Sequence, residues 1–442
     1  MEKMARTVLP FKLAATNESM TAQSGLILFG ECIQGAGFHR WLGREMPKPA
    51  SGHAYTAYTA VQHVLPMVLM LTGGGRSLED LRMVHGDSAL RRLLNLDRLP
   101  STDATGDWLR RMGNGEGLVG LDRVNQRVVE RRLRKFSRKA HTLDIDATQI
   151  IAEKRSTEWT YKGERGYMPM VGHLAEAGVV IHDDFRAGNV APASANLDFV
   201  KACESRLPKG HRLAAIRADS ASYQADLFNY CEETGKTFAI GGRLDAPTLA
   251  AIAAIPDSAW THHADCAVAE TVHSMEATHK AFRLIVVRYR HQADLLEEAQ
   301  PRCHVIASNR GGSASDVLIW YRSRGEHSEN GIKELKIGFG MERMPCRLQA
   351  LWPGKRQCRL LPARRYCAQP LCPVQTLGPR RRLAVASRRH GALATVSGAG
   401  PARPPCRRLG PEGGGHGCGR LCGHSEPRLH LHSRPRTRIT GA

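Results

Sequence analysis

A change in composition at Arg347 limits how much of this 442-residue chain can fold. Residues 347–442 contain 19 basic residues but only two acidic ones, together with 11 of the 23 prolines and 13 of the 43 glycines. They include no Asp, Asn or Phe, and their apolar residues follow neither a helical nor an alternating period. We therefore predict that this segment is a disordered tail, which supplies +17 of the formal net charge of +21.

An out-of-frame origin accounts for the composition of this tail. Arg, Gly, Pro, Ala and Cys with a single Lys, Lys355, are what GC-rich codons encode in the wrong frame, whereas a natural DNA-binding arm mixes Lys with Arg. We hypothesise a reading-frame shift near Cys346; the alternative is a natural Arg-rich tail that binds nucleic acid. The cysteines and histidines between residues 418 and 432 match no standard spacing of zinc ligands.

The chain length predicts two or three domains, and the first 346 residues carry only +4 of the net charge. Their longest apolar stretch, Val61–Leu71, is interrupted by polar residues and is well short of the roughly 20 residues of a membrane span. No apolar leader follows the start, so we expect neither secretion nor membrane insertion. Six cysteines without regular pairing favour a reducing cytoplasm.

Short helices are predicted for most of residues 1–140, although the first 50 residues give only weak signals. Apolar residues recur at helical spacing over 55–71, and a basic helix is predicted over 121–139. Ser77 and Asp80 have the spacing of a capping box. Arginines on exposed helix faces are typical of a helix-turn-helix-like region that binds DNA. A small helical bundle with solvated arginines explains the pattern equally well.

Alternating apolar and polar residues begin at Thr142 and predict a strand with Asp144 and Asp146 on one face. Three consecutive strands are followed by helix, strand, helix and strand, which is the element order of the ribonuclease-H-like fold. We therefore predict an α/β, ribonuclease-H-like core over 141–240. Asp219 follows the fourth strand, and open α/β sheets place their sites outside such strand ends.

The core is interrupted after residue 240. Residues 241–310 contain strong strand patterns and are predicted to form an inserted β-rich subdomain. Within it, His262, His263 and Cys266 form either a metal site or, as we expect, a set of hydrogen-bonded side chains. Residues 311–346 then complete the core with an amphipathic helix.

Three short motifs occur in order along these predicted elements. They are Asp146-Ala147-Thr148, Asp219-Ser220, and a Tyr-Arg-Glu-Lys signature at Tyr321, Arg324, Glu329 and Lys336. Together they resemble bacterial insertion-sequence DDE transposases, most closely the insertion-sequence-four superfamily, thirteen-eighty group. Four residues separate Arg324 from Glu329 where three are usual, so Glu326 is an alternative third carboxylate. Only Glu329, however, has the usual six residues between itself and Lys336.

This resemblance implies an enzyme that cleaves double-stranded DNA at transposon ends and then transfers a 3′-hydroxyl into target DNA. Its catalytic and metal-binding residues would be Asp146, Asp219 and Glu329, holding two Mg²⁺ or Mn²⁺ ions. Asp144, on the same strand face, is expected to be structural. The residues expected to contact DNA are Tyr321, Arg324, Lys333 and Lys336.

The resemblance also implies a homodimer on paired transposon ends in a bacterial cytoplasm, associated with the nucleoid. Other interpretations stay open. Because the sequence changes after Cys346, the catalytic domain would be incomplete, and the chain would be a non-catalytic, truncated inhibitor that binds DNA ends. A metal nuclease of the same fold is a third interpretation. An exposed Glu329–Lys333 ion pair would give the last helix a purely structural role.

Overall fold

The computed structural model describes residues 20–48, 57–113, 116–154, 157–289 and 303–342, together with the backbone of 384–386 and 393–395. It divides the chain into two compact units, residues 1–381 and 382–442. In the second unit the described residues form two short antiparallel strands, Ala384–Ala386 and Leu393–Thr395. The predicted disorder of the tail and its cysteine–histidine group otherwise lie outside the described residues. Among the described helices, none is long and apolar enough to cross a membrane.

The described residues that precede the sheet are mainly helical. They form α1 (Ser24–Ala36), α2 (Phe38–Glu45), α3 (Ala60–Thr72), α4 (Arg82–Gly86), α5 (Ser88–Leu93), α6 (Thr102–Met112) and α7 (Glu116–Leu133). Helices α3 to α7 fall in stretches where the sequence predicts helices, although α7 begins and ends earlier than the predicted 121–139. In contrast, α1 and α2 fall in a region with weak signals. Cys32 on α1 is disulfide-bonded, which differs from the expectation of reduced cysteines.

Local capping and a shared core explain this helical region. Thr59 begins α3 with a capping box to Gln62, and Ser101 caps α6; each cap contributes about 1 kcal/mol. Helix α3 is buried continuously from His63 to Leu71. It lies at the centre of one apolar cluster to which all seven helices contribute.

A nine-stranded mixed sheet follows, in the order β6-β5-β1-β7-β8-β12-β11-β10-β9. A small second sheet has the order β2-β4-β3. The strands are β1 (Ala140–Ala147), β2 (Ile150–Ile151), β3 (Glu158–Trp159), β4 (Arg165–Tyr167), β5 (Met170–Leu174), β6 (Val179–Asp184), β7 (Arg212–Ala218), β8 (Thr237–Gly241), β9 (Thr261–His263), β10 (Cys266–His273), β11 (Phe282–Tyr289) and β12 (Cys303–Ser308). The helices are α8 (Asn196–Ser205), α9 (Ala225–Glu233), α10 (Ala246–Ala253), α11 (Ala314–Arg324) and α12 (Asn330–Lys333).

The first five strands of the large sheet have the predicted element order. β1, β5 and β6 form an antiparallel meander. β7 then pairs in parallel with β1, and β8 pairs in parallel with β7. Helix α8 connects β6 to β7, and α9 connects β7 to β8. This part of the prediction agrees with the structure.

The strands predicted between residues 241 and 310 are present, but they extend the central sheet instead of forming a subdomain of their own. β12 pairs with β8, and β11, β10 and β9 continue outward from it. The reason lies in the apolar runs Leu284–Val287 and Val305–Ala307, which are buried on both faces. Such strands need cover on two sides, and α10 and α11 pack against this part of the sheet.

A β-bulge lies in the pairing of β1 with β7. His141 is opposite Leu213, but Thr142 is opposite Ala215, so Ala214 is an extra residue in β7. Bulges of this kind change where the side chains beyond them point. The bulge therefore sets the register of the two strand ends that follow it.

The last described helix combines α-helical and π-helical turns. Helix α11 continues through a π-helical turn at Gly325–Glu329, then α12, then a second π-helical turn at Glu334–Gly338. Ile332 and Leu335 are buried against the sheet, as the amphipathic pattern predicts. The π-helical turns were not predicted.

Candidate active site

Two aspartates lie side by side at the carboxyl ends of β1 and β7. Ile145 and Ala218 are partners in the parallel register. Asp146 directly follows Ile145 in β1, and Asp219 directly follows Ala218, the last residue of β7. Neighbouring strands are about 4.8 Å apart, so the two residues leave the sheet together. The Asp146 side chain is 19% exposed. Asp219 caps a short turn by accepting a hydrogen bond from the Ala221 amide over 3.1 Å.

Arg324 connects a glutamate to this pair. Its Nη2 lies 3.2 Å from Asp146 Oδ1, and its Nη1 lies 3.2 Å from Glu329 Oε1. Nη2 also donates to the carbonyl oxygen of Ile145 over 3.4 Å. The Arg324 side chain is 7% exposed, against 60% for Glu329. The guanidinium is thus enclosed, while the glutamate contacts it from the solvent side.

The side chains of this group affect one another's pKa. Burial is the main cause that raises the pKa of Asp146 to about 6; Asp219 and Glu329 raise it further, and Arg324 opposes the rise. Burial alone would lower the pKa of Arg324, but the surrounding anions, Asp146 first, raise it above its ordinary value. Three carboxylates therefore share one enclosed positive charge.

Tyr321 belongs to the same group. Burial raises its pKa to about 12; Arg324 opposes this, and the three carboxylates add to it. Its phenol is therefore a neutral hydrogen-bond donor near pH 7. A Cβ placed on Gly241 would lie 3.0 Å from the Tyr321 Oη and 3.0 Å from the Ser220 amide. The absence of a side chain at Gly241 lets the hydroxyl reach the end of β8 beside Asp219.

Asp144 lies behind this group and is structural, as expected. Arg217 holds its two oxygens through Nε and Nη2 over 2.7 and 2.8 Å, and both side chains are almost completely buried. Arg217 also donates to the Trp320 carbonyl and the Ser323 hydroxyl of α11. It therefore ties β1 and β7 to the helix that carries Arg324. The sequence interpretation missed Arg217, although a charged residue inside the apolar strand 213–218 was a usable signal.

The two lysines lie further along the helix. Lys336 Nζ donates to the carbonyl oxygen of Gln149, three residues after Asp146, over 3.1 Å. Lys333 and the alternative carboxylate Glu326 are exposed. Glu329 has its ion pair with Arg324, so the structural alternative of a Glu329–Lys333 pair is not observed. The site residues that the structure brings together are Asp146, Asp219, Tyr321, Arg324 and Glu329.

The three carboxylates fit a hard divalent cation by their chemistry. Carboxylate oxygens are the ligands that Mg²⁺ prefers, and burial, with Asp219 and Glu329 adding to it, raises the pKa of Asp146 although Arg324 opposes the rise. Within the described ranges, no three His, Cys, Asp or Glu side chains are close enough to enclose a metal ion. His262 and His263 are therefore not part of such a group either. The Cys266 thiol donates a hydrogen bond to the His263 carbonyl oxygen over 3.1 Å.

Two aspartates thus lie at neighbouring strand ends, and an arginine connects one of them to a glutamate of the following helix. The chain belongs to the DDE transposases: residues 8–351 match the family described as transposase DDE domain group 1. It is also similar to a solved piggyBac transposase, in a cryo-EM synaptic complex with hairpin DNA, at 10% identity and a TM-score of 0.41, over 78% of this chain and 79% of that one. No curated protein matches the chain.

Proposed function

We propose that this transposase cleaves DNA at transposon ends and transfers the resulting 3′-hydroxyl into target DNA, using Asp146, Asp219 and Glu329. The observation that supports this most directly is the parallel register that sets Asp146 beside Asp219, with Arg324 linking the pair to Glu329. Charged groups brought together at a strand edge raise one another's free energy. A fold retains such an arrangement where function requires it.

Asp146, Asp219 and Glu329 would hold two Mg²⁺ or Mn²⁺ ions. When bound, such ions activate the attacking oxygen and stabilise charge on the leaving oxygen. Arg324 keeps the carboxylates ionised and oriented through its two 3.2 Å contacts. Tyr321 supplies a neutral hydroxyl that can donate to a phosphate oxygen. Lys333 and Lys336 add positive charge along the path that we propose for the DNA backbone.

The transposase group, the oligomeric state and the cellular location that we propose follow from the sequence motifs. The Tyr-Arg-Glu-Lys signature at Tyr321 to Lys336 supports the insertion-sequence-four superfamily, thirteen-eighty group. That group implies a homodimer on paired terminal repeats in a bacterial cytoplasm, associated with the nucleoid. The family match ends at residue 351, close to the composition change at Arg347, which supports a reading-frame shift near Cys346.

The test is an incision assay on DNA that carries the transposon ends, with Mg²⁺ present. We expect Asp146→Asn to abolish nicking while DNA binding is retained, because the amide cannot act as an anionic ligand. Asp198→Asn, at an exposed position in the first turn of α8, is the matched control and should leave nicking unchanged. Nicking by a folded Asp146→Asn variant would refute the assignment.

A second candidate function is a truncated, non-catalytic inhibitor that binds transposon ends. The composition change after Cys346 favours it, because residues that would complete a catalytic domain have no counterpart in an Arg- and Gly-rich tail. The same assay separates the two: nicking by the parent chain supports the enzyme, and binding without nicking supports the inhibitor. The nucleotide sequence around codon 346, translated in the other two frames, tests the proposed shift directly.

A further inference from the structure

A basic groove lies between α2 and α7 in the helical region. It encloses about 440 Å³ and is lined by Ala36, Arg40, Trp41, Arg44, Arg127, Glu130, Arg131 and Arg134; we call it the arginine groove. These residues come from the end of α1, from α2, and from the second half of α7 and the residue just beyond it. None of them belongs to the carboxylate site, which lies at the carboxyl ends of β1 and β7.

Helical spacing places the arginines in two facing rows. Arg40 and Arg44 are four residues apart on α2, so both project from one side of that helix. Arg127, Arg131 and Arg134 are spaced by four and three residues and form a second row along α7. The helices pack against each other, and the two rows line the same cavity.

A close backbone approach fixes one end of the groove. A Cβ on Gly120 of α7 would lie only 2.5 Å from the Glu45 carbonyl oxygen at the end of α2. Glycine at this position therefore lets the two helices touch there. Away from this contact the groove opens between the arginine rows, so its width is set by rigid helices and not by a loop.

The charge of the groove is largely uncompensated. Arg127 is paired with Glu130 at 3.2 Å and with Glu45 at 3.6 Å. Arg40, Arg44, Arg131 and Arg134 form no ion pair with any described residue. Four guanidinium groups around one cavity repel one another, and an anion in the cavity would relieve that repulsion.

The side chains also match the geometry of oxyanions such as phosphate. Guanidinium groups donate parallel hydrogen bonds to phosphate oxygens. Trp41 is half-buried against the apolar cluster and lies at the groove, where its ring offers a flat apolar surface next to the charges. Rows of arginine beside an aromatic ring suit a nucleic-acid backbone, whose phosphates alternate with apolar sugars.

We propose that the arginine groove binds the phosphodiester backbone of double-stranded DNA, as a second contact surface apart from the carboxylates. This inference rests on the proposed function only in taking DNA as the substrate. It needs no metal ion and no cleavage. The groove would position the duplex through its backbone, because phosphate contacts fix the orientation of a protein on DNA.

The test compares two double variants of the full-length chain. Arg40→Gln/Arg131→Gln removes one arginine from each row. Lys209→Gln/Arg212→Gln removes the same charge at exposed positions outside the groove. Binding of a fluorescein-labelled duplex is measured by anisotropy in EDTA over a series of salt concentrations. All chains retain the basic tail, so its contribution to binding cancels in the comparison.

We expect the groove variant to bind more weakly and to lose about 1.8 from the slope of log affinity against log salt, about 0.9 for each phosphate contact. The control should keep the parental slope. The pair Arg44→Gln/Arg134→Gln should reproduce the loss, which guards against a local defect in one variant. Unfolding midpoints by circular dichroism identify any variant that fails to fold. If one groove variant fails, the salt dependence of the other groove variant tests the proposal.

Equal slopes for folded groove variants, control and parent would overturn the proposal. So would saturable binding of inorganic phosphate that depends on the groove while the DNA slope is unchanged, since that marks a small-anion site. The outcome is separate from the Asp146→Asn result. If the groove variants lose salt dependence and Asp146→Asn still nicks DNA, the groove is supported and the catalytic assignment is refuted. If the groove variants keep the parental slope and Asp146→Asn does not nick DNA, only the groove proposal is refuted.

Discussion

Asp146 is held in its ionised form at a cost in stability. Its folded-state pKa of about 6 lies above the ordinary value of 3.8, so the folded chain binds this proton more tightly than the unfolded chain does. Stability from this group is therefore lost as pH rises between about 4 and 6, and the loss is complete above that range. Two pKa units correspond to about 3 kcal/mol.

This shift predicts how Asp146→Asn changes stability. In EDTA, the variant should be more stable than the parent at pH 8 by up to about 3 kcal/mol, because the amide cannot ionise. The advantage should fade as pH falls to 4, where the parental carboxyl is protonated. Urea unfolding at several pH values measures this, with Asp198→Asn as the control. A constant difference across the pH range would show that the carboxylate is not destabilised.

Single residues were predictable where a motif marks them, and not where their partner is remote. Asp146, Asp219 and Glu329 stand in recognisable motifs, and the structure brings them together. The sequence did not show that Arg324 would contact two carboxylates. Arg324 lies 178 positions after Asp146, and only the folded chain brings the two residues together. Arg40 and Arg44 were missed because α2 lies in a stretch with only weak helical signals.

The π-helical turn at Gly325–Glu329 explains the unusual spacing in the signature. Residues five apart on an α-helix point about 140° away from each other, since each residue turns the chain by 100°. A π-helical turn closes i to i+5. It therefore accommodates one extra residue and returns Glu329 to the side of Arg324, where the 3.2 Å contact forms.

Deleting Glu326 should convert this turn into an α-helical one. Arg324 and Glu329 would then be four apart and still face each other, and the downstream helix would keep its orientation. We expect nicking within a few-fold of the parent and a similar unfolding midpoint, which would also exclude Glu326 as the catalytic carboxylate. Deleting exposed Asn330 from the α-helical part is the control and should rotate Ile332 and Leu335 out of the core. A folded Glu326 deletion without nicking would contradict this account.

Whole elements were predicted best where their pattern is local. The strands and helices of residues 141–240 follow clear alternation and capping, and the structure confirms their order. Helix α1 was missed because Gly25, Gly30 and Gly35 weaken its helical signal. The strands after residue 241 were recognised, but their pairing with β8 was not, since no local pattern encodes a partner strand.

Most of the chain's net charge and its described apolar clusters lie in different parts of the sequence. Residues 352–442 contain 18 basic and two acidic residues, whereas the apolar clusters of the described residues lie between Leu26 and Met341. We predict that a chain ending at residue 351 keeps its unfolding midpoint within about 2 °C in reducing buffer. Its DNA binding should show a shallower salt dependence than the full chain, because fewer cations contact phosphates.

Calorimetry and anisotropy over a salt series measure the two quantities. The arginine-groove variants made in this shorter chain provide the matched comparison, since their loss of slope should be the same with and without the tail. A fall of the unfolding midpoint by more than a few degrees would show that residues 352–442 contribute to the folded core.

The register of β1 with β7 also sets the order in which this protein becomes competent during its own synthesis. Asp219 leaves the ribosome 105 residues before Arg324, an interval of roughly 5–20 s at ordinary rates of translation. During that interval the Asp219 carboxylate, which raises the pKa of Asp146, is already present, and Arg324, which opposes that rise, is not. Closing that long parallel pairing is already slow. A nascent chain that ends before residue 329 therefore lacks at least one of the side chains grouped at these strand ends, whatever the state of its sheet.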